Sequence, residues 1–154
     1  MSTSISDIKD TLIDNTMFQR TPADLTDTQY LDMAIRGCKR FYIDTGIESN
    51  WDTEYTSGDS PTLSRTLTIL EQEYCLVAAE IEYFKIVSYY WNTLVGYTTN
   101  ALSITNADKP FSFMKSIIKE KETYLVELFH KMTEISNASE VTDITVDAVD
   151  FDFD

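Results

Sequence analysis

Basic residues are scarce in this chain. Twelve Lys and Arg stand against 26 Asp and Glu, a formal net charge of −14 over 154 residues. Such a shortage of cations disfavours direct contact with nucleic acid or an anionic membrane, both of which require a basic face. Cysteine is scarcer still. Cys38 and Cys75 stand alone, outside any CxxC pair and at apolar positions of predicted helices. They read as buried thiols of a domain large enough to fold without a crosslink; a disulfide is the less favoured reading, and the expected compartment is reducing. Histidine occurs once, at His130, with Glu127 and Glu134 three residues before and four after it. A metal site needs three or four ligands, so this reads as a surface ion pair.

Other chemistry is lacking too. There is no Gly-rich phosphate loop, and no Ser/His/Asp or Cys/His set surrounds a nucleophile. Residues 1–7 have neither the basic region nor the apolar run of a signal peptide. No apolar run reaches membrane-spanning length, because Glu71, Glu73, Glu80, Glu82 and Lys85 interrupt the longest. The expectation is a soluble protein of one domain that is not an enzyme and holds no metal or cofactor.

Glycine and proline are missing from the stretch that organises the rest. Between Thr62 and Val95 there is neither, and Leu63, Leu67, Leu70, Tyr74, Val77, Ile81, Phe84, Trp91 and Val95 recur at helical spacing. The spacing predicts one long helix over about 62–95, capped by Ser60, with Pro61 at its first position and Gly96 at its end. At about 1.5 Å per residue it is roughly 50 Å long. In its second half Ile86, Val87, Tyr89, Tyr90 and Leu94 widen the stripe until the helix is apolar nearly all round and needs cover on more than one side. The aromatic cluster Tyr83, Phe84, Tyr89, Tyr90, Trp91 and Tyr97 reads first as core, with a subunit interface as the alternative.

Around that spine the chain reads as follows. Ser4 or Ser6 caps a short helix with Ile5, Ile8 and Leu12 on one face, ending near Asp14–Asn15; Thr21–Pro22 marks a break. Thr26 to Gln29 is a T-x-x-Q capping box, opening a helix whose buried stripe includes Tyr30, Ala34, Gly37 and Phe41 and which stops at Thr45–Gly46. Gly37 inside it implies close approach of a neighbouring helix. Glu48 to Ser60 is polar apart from Trp51 and Tyr55, and reads as a surface loop. Over about 97–107, Thr and Ser interleave with Tyr97, Leu102 and Ile104, which predicts a short extended arm. Asp108 and Pro110 open a last helix that carries Phe113, Met114, Ile117, Ile118, Tyr124, Leu125, Leu128 and Met132, to about Ile135.

Residues 137–154 hold six acids and no Lys or Arg. Ile144, Val146 and Ala148 alternate with polar residues, and so do Val149, Phe151 and Phe153. One reading is a disordered acidic end. The other is a strand that pairs with the sheet edge of another chain, kept soluble beforehand by its aspartates. Asp150, Asp152 and Asp154 lack the turn glycine and distal Glu of a calcium loop. The expected architecture is mainly α: a small helical bundle over residues 1–136 around one long central helix, with an extended tail over 137–154.

This layout, and above all the segment from Ala101 to Phe111 that joins the long helix to the closing one, resembles the small helical head–tail connector (adaptor) proteins of tailed bacteriophages. The resemblance covers roughly residues 4–136. It implies a structural protein of the virion neck, made in the host cytoplasm. About a dozen copies would form a ring under the portal protein and extend the DNA channel towards a downstream stopper or tail protein. DNA would pass without specific binding, and no basic patch marks where the chain would grip it. The C-terminal tail would dock on the portal or a neighbouring subunit through Ile144, Val146, Val149, Phe151 and Phe153. Tyr89, Tyr90, Trp91, Tyr97, Leu102 and Ile104 would form a subunit interface. The alternative is a small acidic inhibitor or DNA mimic that occupies a basic nucleic-acid channel. The concentration of acid in the tail, rather than along a helix face, favours the connector.

Overall fold

The computed structural model describes residues 2–16, 25–47, 50–98 and 108–144; within 91–98, 108–111 and 138–144 it describes the backbone alone. The elements are β1 (Thr3–Ser4), α1 (Ile5–Thr16), α2 (Asp27–Asp44), α3 (Trp51–Glu54), β2 (Tyr55–Thr56), β3 (Thr62–Leu63), α4 (Ile69–Thr98) and α5 (Asp108–Ile144). The chain is mainly helical, as its periodicity requires.

α4 is the spine, packed against α1, α2 and α5. Side-chain pairs set the directions. Tyr30 stacks on Tyr83 with ring centroids 6.1 Å apart, and Phe41 meets Tyr74 at 5.8 Å, so α2 runs antiparallel to α4. Asn15 donates to Glu80 at 2.8 Å and Thr3 accepts from the Leu67 amide at 2.8 Å, so α1 runs parallel to it. Lys121 on α5 bonds Glu80, while Leu128 shares a core cluster with Tyr74 and Met114 one with Phe84 and Val87. α5 is therefore antiparallel to α4.

The helix starts and stops follow local chemistry. Thr26 accepts from the Gln29 amide at 3.3 Å while Gln29 accepts from the Thr26 amide at 2.8 Å, the reciprocal capping box expected for α2. Its far end turns at Gly46, which has φ +75°. Ile5, Ile8 and Leu12 are buried along α1, and Thr16 joins them at its last residue.

The start of α4 corrects the sequence reading. Ser60 does not cap it, and Pro61 is not its first residue. Pro61 is buried in extended chain and its carbonyl accepts from the Ile5 amide at 3.0 Å. Thr62 and Leu63 form the central strand of a three-stranded sheet, antiparallel to β1 on one side and β2 on the other. The true start is a second capping box. Thr68 accepts from the Glu71 amide at 3.3 Å, and Glu71 accepts from the Thr68 amide at 2.7 Å. Leu63 and Leu67 are buried from strand and loop, so their helical spacing with Leu70 is coincidental.

Three further differences follow from packing. The polar segment around Trp51 is not a plain surface loop. It holds α3 and β2, and Trp51 is buried against Tyr42 (5.5 Å) and stacked on Tyr55 (4.7 Å). α4 passes through Gly96 to Thr98, so Tyr97 begins no extended arm; the rest of that arm, 99–107, lies outside the described residues. α5 reaches Ile144 rather than Ile135, so the tail is not extended from 137, and Ile144 is helical rather than part of a strand. Propagating an existing helix fixes one residue per new hydrogen bond, and no Gly or Pro follows Pro110 to stop it.

Gly37 behaves as expected. A Cβ there would stand 2.8 Å from the Ala79 amide nitrogen and 3.0 Å from the Ala79 Cβ, with the Cys75 carbonyl oxygen nearer still. Cys38 and Cys75 flank this crossing as free, fully buried thiols.

Candidate functional site

Ion pairs lock the helices together. Arg40 on α2 holds Glu122 on α5 through two bonds, 3.1 and 2.7 Å, and bonds Asp44 at 3.2 Å. The Tyr74 hydroxyl, from α4, donates to the same Asp44. The guanidinium holds Glu122 below the usual carboxylate range, chiefly by hydrogen bonding and against partial desolvation. Burial, then the bond to Asp44, pushes the Tyr74 hydroxyl up. At the centre of the bundle, buried Glu80 receives Asn15 from α1 and Lys121 from α5. These contacts tie the helices to one another, and each of the charges named is answered by a partner. Among the described residues no group of three or more His, Cys, Asp or Glu could hold a metal ion. His130, Glu127 and Glu134 are all exposed on α5.

The better candidate is a surface. From the register of Tyr30 on Tyr83, α2 begins level with residue 86 or 87 of α4. α4 then continues to Thr98, roughly 16 Å beyond the start of α2, and α5, which the Lys121–Glu80 bond sets level with about residue 93 at its start, accompanies it for roughly 9 Å of that length. On this end Tyr89 is 75% and Phe113 61% exposed, and Ile86 and Tyr90 are also open. The predicted aromatic cluster is therefore divided: Tyr83 and Phe84 are core, whereas Tyr89 and Tyr90 lie at the surface. Trp91 and Tyr97 are on α4 with only their backbone described, and Leu102 and Ile104 lie outside the described residues. Val146, Val149, Phe151 and Phe153 also lie outside them.

One signal was available in the sequence. From Ile86 to Ala107 there is no charged residue, although a quarter of the chain is Asp, Glu, Lys or Arg. Phe113 adds an exposed apolar side chain on α5, past the charged pair Asp108–Lys109 that opens that helix, which periodicity along either helix alone does not reveal.

No family model, no curated protein and no solved structure matches this chain. Among the described residues no helix is long and apolar enough to cross a membrane.

Proposed function

We propose that the chain is a head–tail connector of a tailed bacteriophage, a structural protein that forms a ring under a portal. The observation that supports this most is the exposed apolar end of the α4–α5 pair, where α4 carries no charge from Ile86 to Thr98. Each copy carries −14, so copies repel, and their contact is least opposed where the local net charge is zero, as it is from Ile86 through the Asp108–Lys109 pair to Met114. Tyr89, Tyr90, Ile86 and Phe113 supply apolar and aromatic area there. In this reading the acidic remainder faces the DNA channel and lets DNA slide without capture. The protein acts in the virion neck as a binding component rather than an enzyme. Its tail, residues 145–154, meets the portal or the next subunit.

An acidic DNA mimic has less support. A mimic needs carboxylates free to meet a basic channel, but Asp10, Asp27, Asp32, Asp44, Glu71, Glu80, Glu82 and Glu122 are engaged by cations of the same chain.

The test is assembly by Tyr89→Glu/Phe113→Glu. Both positions are exposed, so the variant keeps the circular dichroism and unfolding midpoint of the parent. The reading predicts that the parent forms or joins a ring and that the double variant does not. Equal assembly by both chains contradicts it.

A further inference from the structure

A second apolar surface lies at the opposite end of the bundle, where α5 passes the start of α4. A groove of about 590 Å³ is lined by Thr68, Ile69, Leu70, Glu71, Met132, Ile135 and Ser136. Ile69 is 86% and Ile135 60% exposed, an unusual display for two isoleucines facing one groove. An adjoining groove shares Glu71, Met132 and Ser136 and adds Arg65. Arg65 gives one guanidinium nitrogen to Glu71 at 2.6 Å, while its buried Nε finds no hydrogen-bond partner among the described residues. The groove also takes in the first turn of α4, the helix end that favours carboxylates. The groove therefore offers an apolar wall to an occupant, with one cation, Arg65, at its margin beyond Glu71.

We infer that this groove is the docking site of the chain's own residues 146–154. Val149, Phe151 and Phe153 enter the apolar part, and Asp150, Asp152 and Asp154 line the side nearest Arg65 and the α4 N-terminus. The reach is sufficient. Ile135 lies nine residues before the end of α5, about 14 Å along the helix. With a reversal directly after the helix end, at Thr145, Phe151 and Phe153 lie six and eight residues further on, up to about 20 and 26 Å of extended chain, enough to reach back past Ile135. Attachment to the same chain favours this occupant over a second copy. A short tether gives an effective concentration of about millimolar, whereas separate copies at −14 repel. The inference does not rest on the connector reading. If both hold, a portal or neighbouring subunit must draw the tail out of this groove before receiving it.

The experiment uses the full chain with Asp154→Cys carrying a nitroxide. Cys38 and Cys75 are fully buried, so the added thiol takes the label. Methyl signals of Ile69, Met132 and Ile135 should lose intensity in the dilute protein, while that of Ile86, far along α4, keeps it. The loss should vanish in Phe151→Ser/Phe153→Ser and weaken in Ile69→Asp, a change at an exposed first-turn position that leaves the fold intact. Undiminished signals at Ile69, Met132 and Ile135 overturn the inference. So does a loss that arises only between labelled and unlabelled chains in a mixture, which assigns the groove to a second copy.

Discussion

Gly37 of α2 and Ala79 of α4 approach so closely that a side chain on either helix sets their separation; a Cβ on Gly37 would lie 3.0 Å from the Ala79 Cβ. The backbone of α4 is nearer still, and backbone does not move aside as a flexible side chain does. Gly37→Ala gains about 1 kcal/mol of helix propensity but overpacks the crossing. The expected net loss is about 1–3 kcal/mol, read as a lower urea midpoint at unchanged m. A stabilised variant would mean that the helices do not cross there.

The start of α4 can be tested by two threonine and serine deletions. Thr68→Ala removes the capping box with Glu71 and should cost about 1 kcal/mol. Ser60→Ala, at the position the sequence pattern favours, should change stability by less than about 0.5 kcal/mol. The reverse order in urea unfolding would restore the longer helix.

Much of the fold was legible because it rests on local chemistry. The Thr26–Gln29 box, the turn at Gly46 and the stripe Ile5–Ile8–Leu12 are all readable within a few residues. Thr68 and Glu71 carry an equally readable box, hidden because Leu63 and Leu67 continue the helical spacing upstream of it. Leu63 belongs to a sheet whose other strands, β1 and β2, are distant or weakly patterned in sequence, and Leu67 joins the same core from the loop that follows. Of the candidate interface, Tyr89 and Tyr90 were legible as apolar residues off the main stripe of the long helix, read first as core; they are exposed. Phe113 was not legible as part of it, because its role depends on how far α4 and α5 outrun α2, a property of register rather than composition. The partners in the proposed neck are legible only through resemblance.

The Arg40–Glu122 pair makes stability depend on pH in a defined direction. Glu122 titrates lower in the folded chain than in the unfolded chain, so its contribution is complete above the ordinary glutamate value of 4.5 and fades as pH falls through the lowered value. Both groups remain partly exposed, and solvent screening limits the contribution to about 1 kcal/mol or less. Glu122→Gln should therefore unfold at lower urea than the parent at neutral pH, with the gap closing in acid. A gap that widens in acid would reverse the assignment.

Cys38 and Cys75 should be silent in the native protein. Both are fully buried, and burial pushes the Cys75 thiol well above the usual range, which lowers its thiolate fraction. A thiol reagent should modify neither on mixing and both after addition of denaturant. Prompt labelling of the native chain would show that the α2–α4 crossing opens readily.

The central claim is assembly through the exposed apolar end of the α4–α5 pair, and mass measurement tests it most directly. The purified chain is measured alone and after mixing with a portal ring, beside Tyr89→Glu/Phe113→Glu. The account predicts a ring-sized species for the parent, alone or on the portal, and a monomer for the folded variant. A parent that remains monomeric in both samples contradicts it.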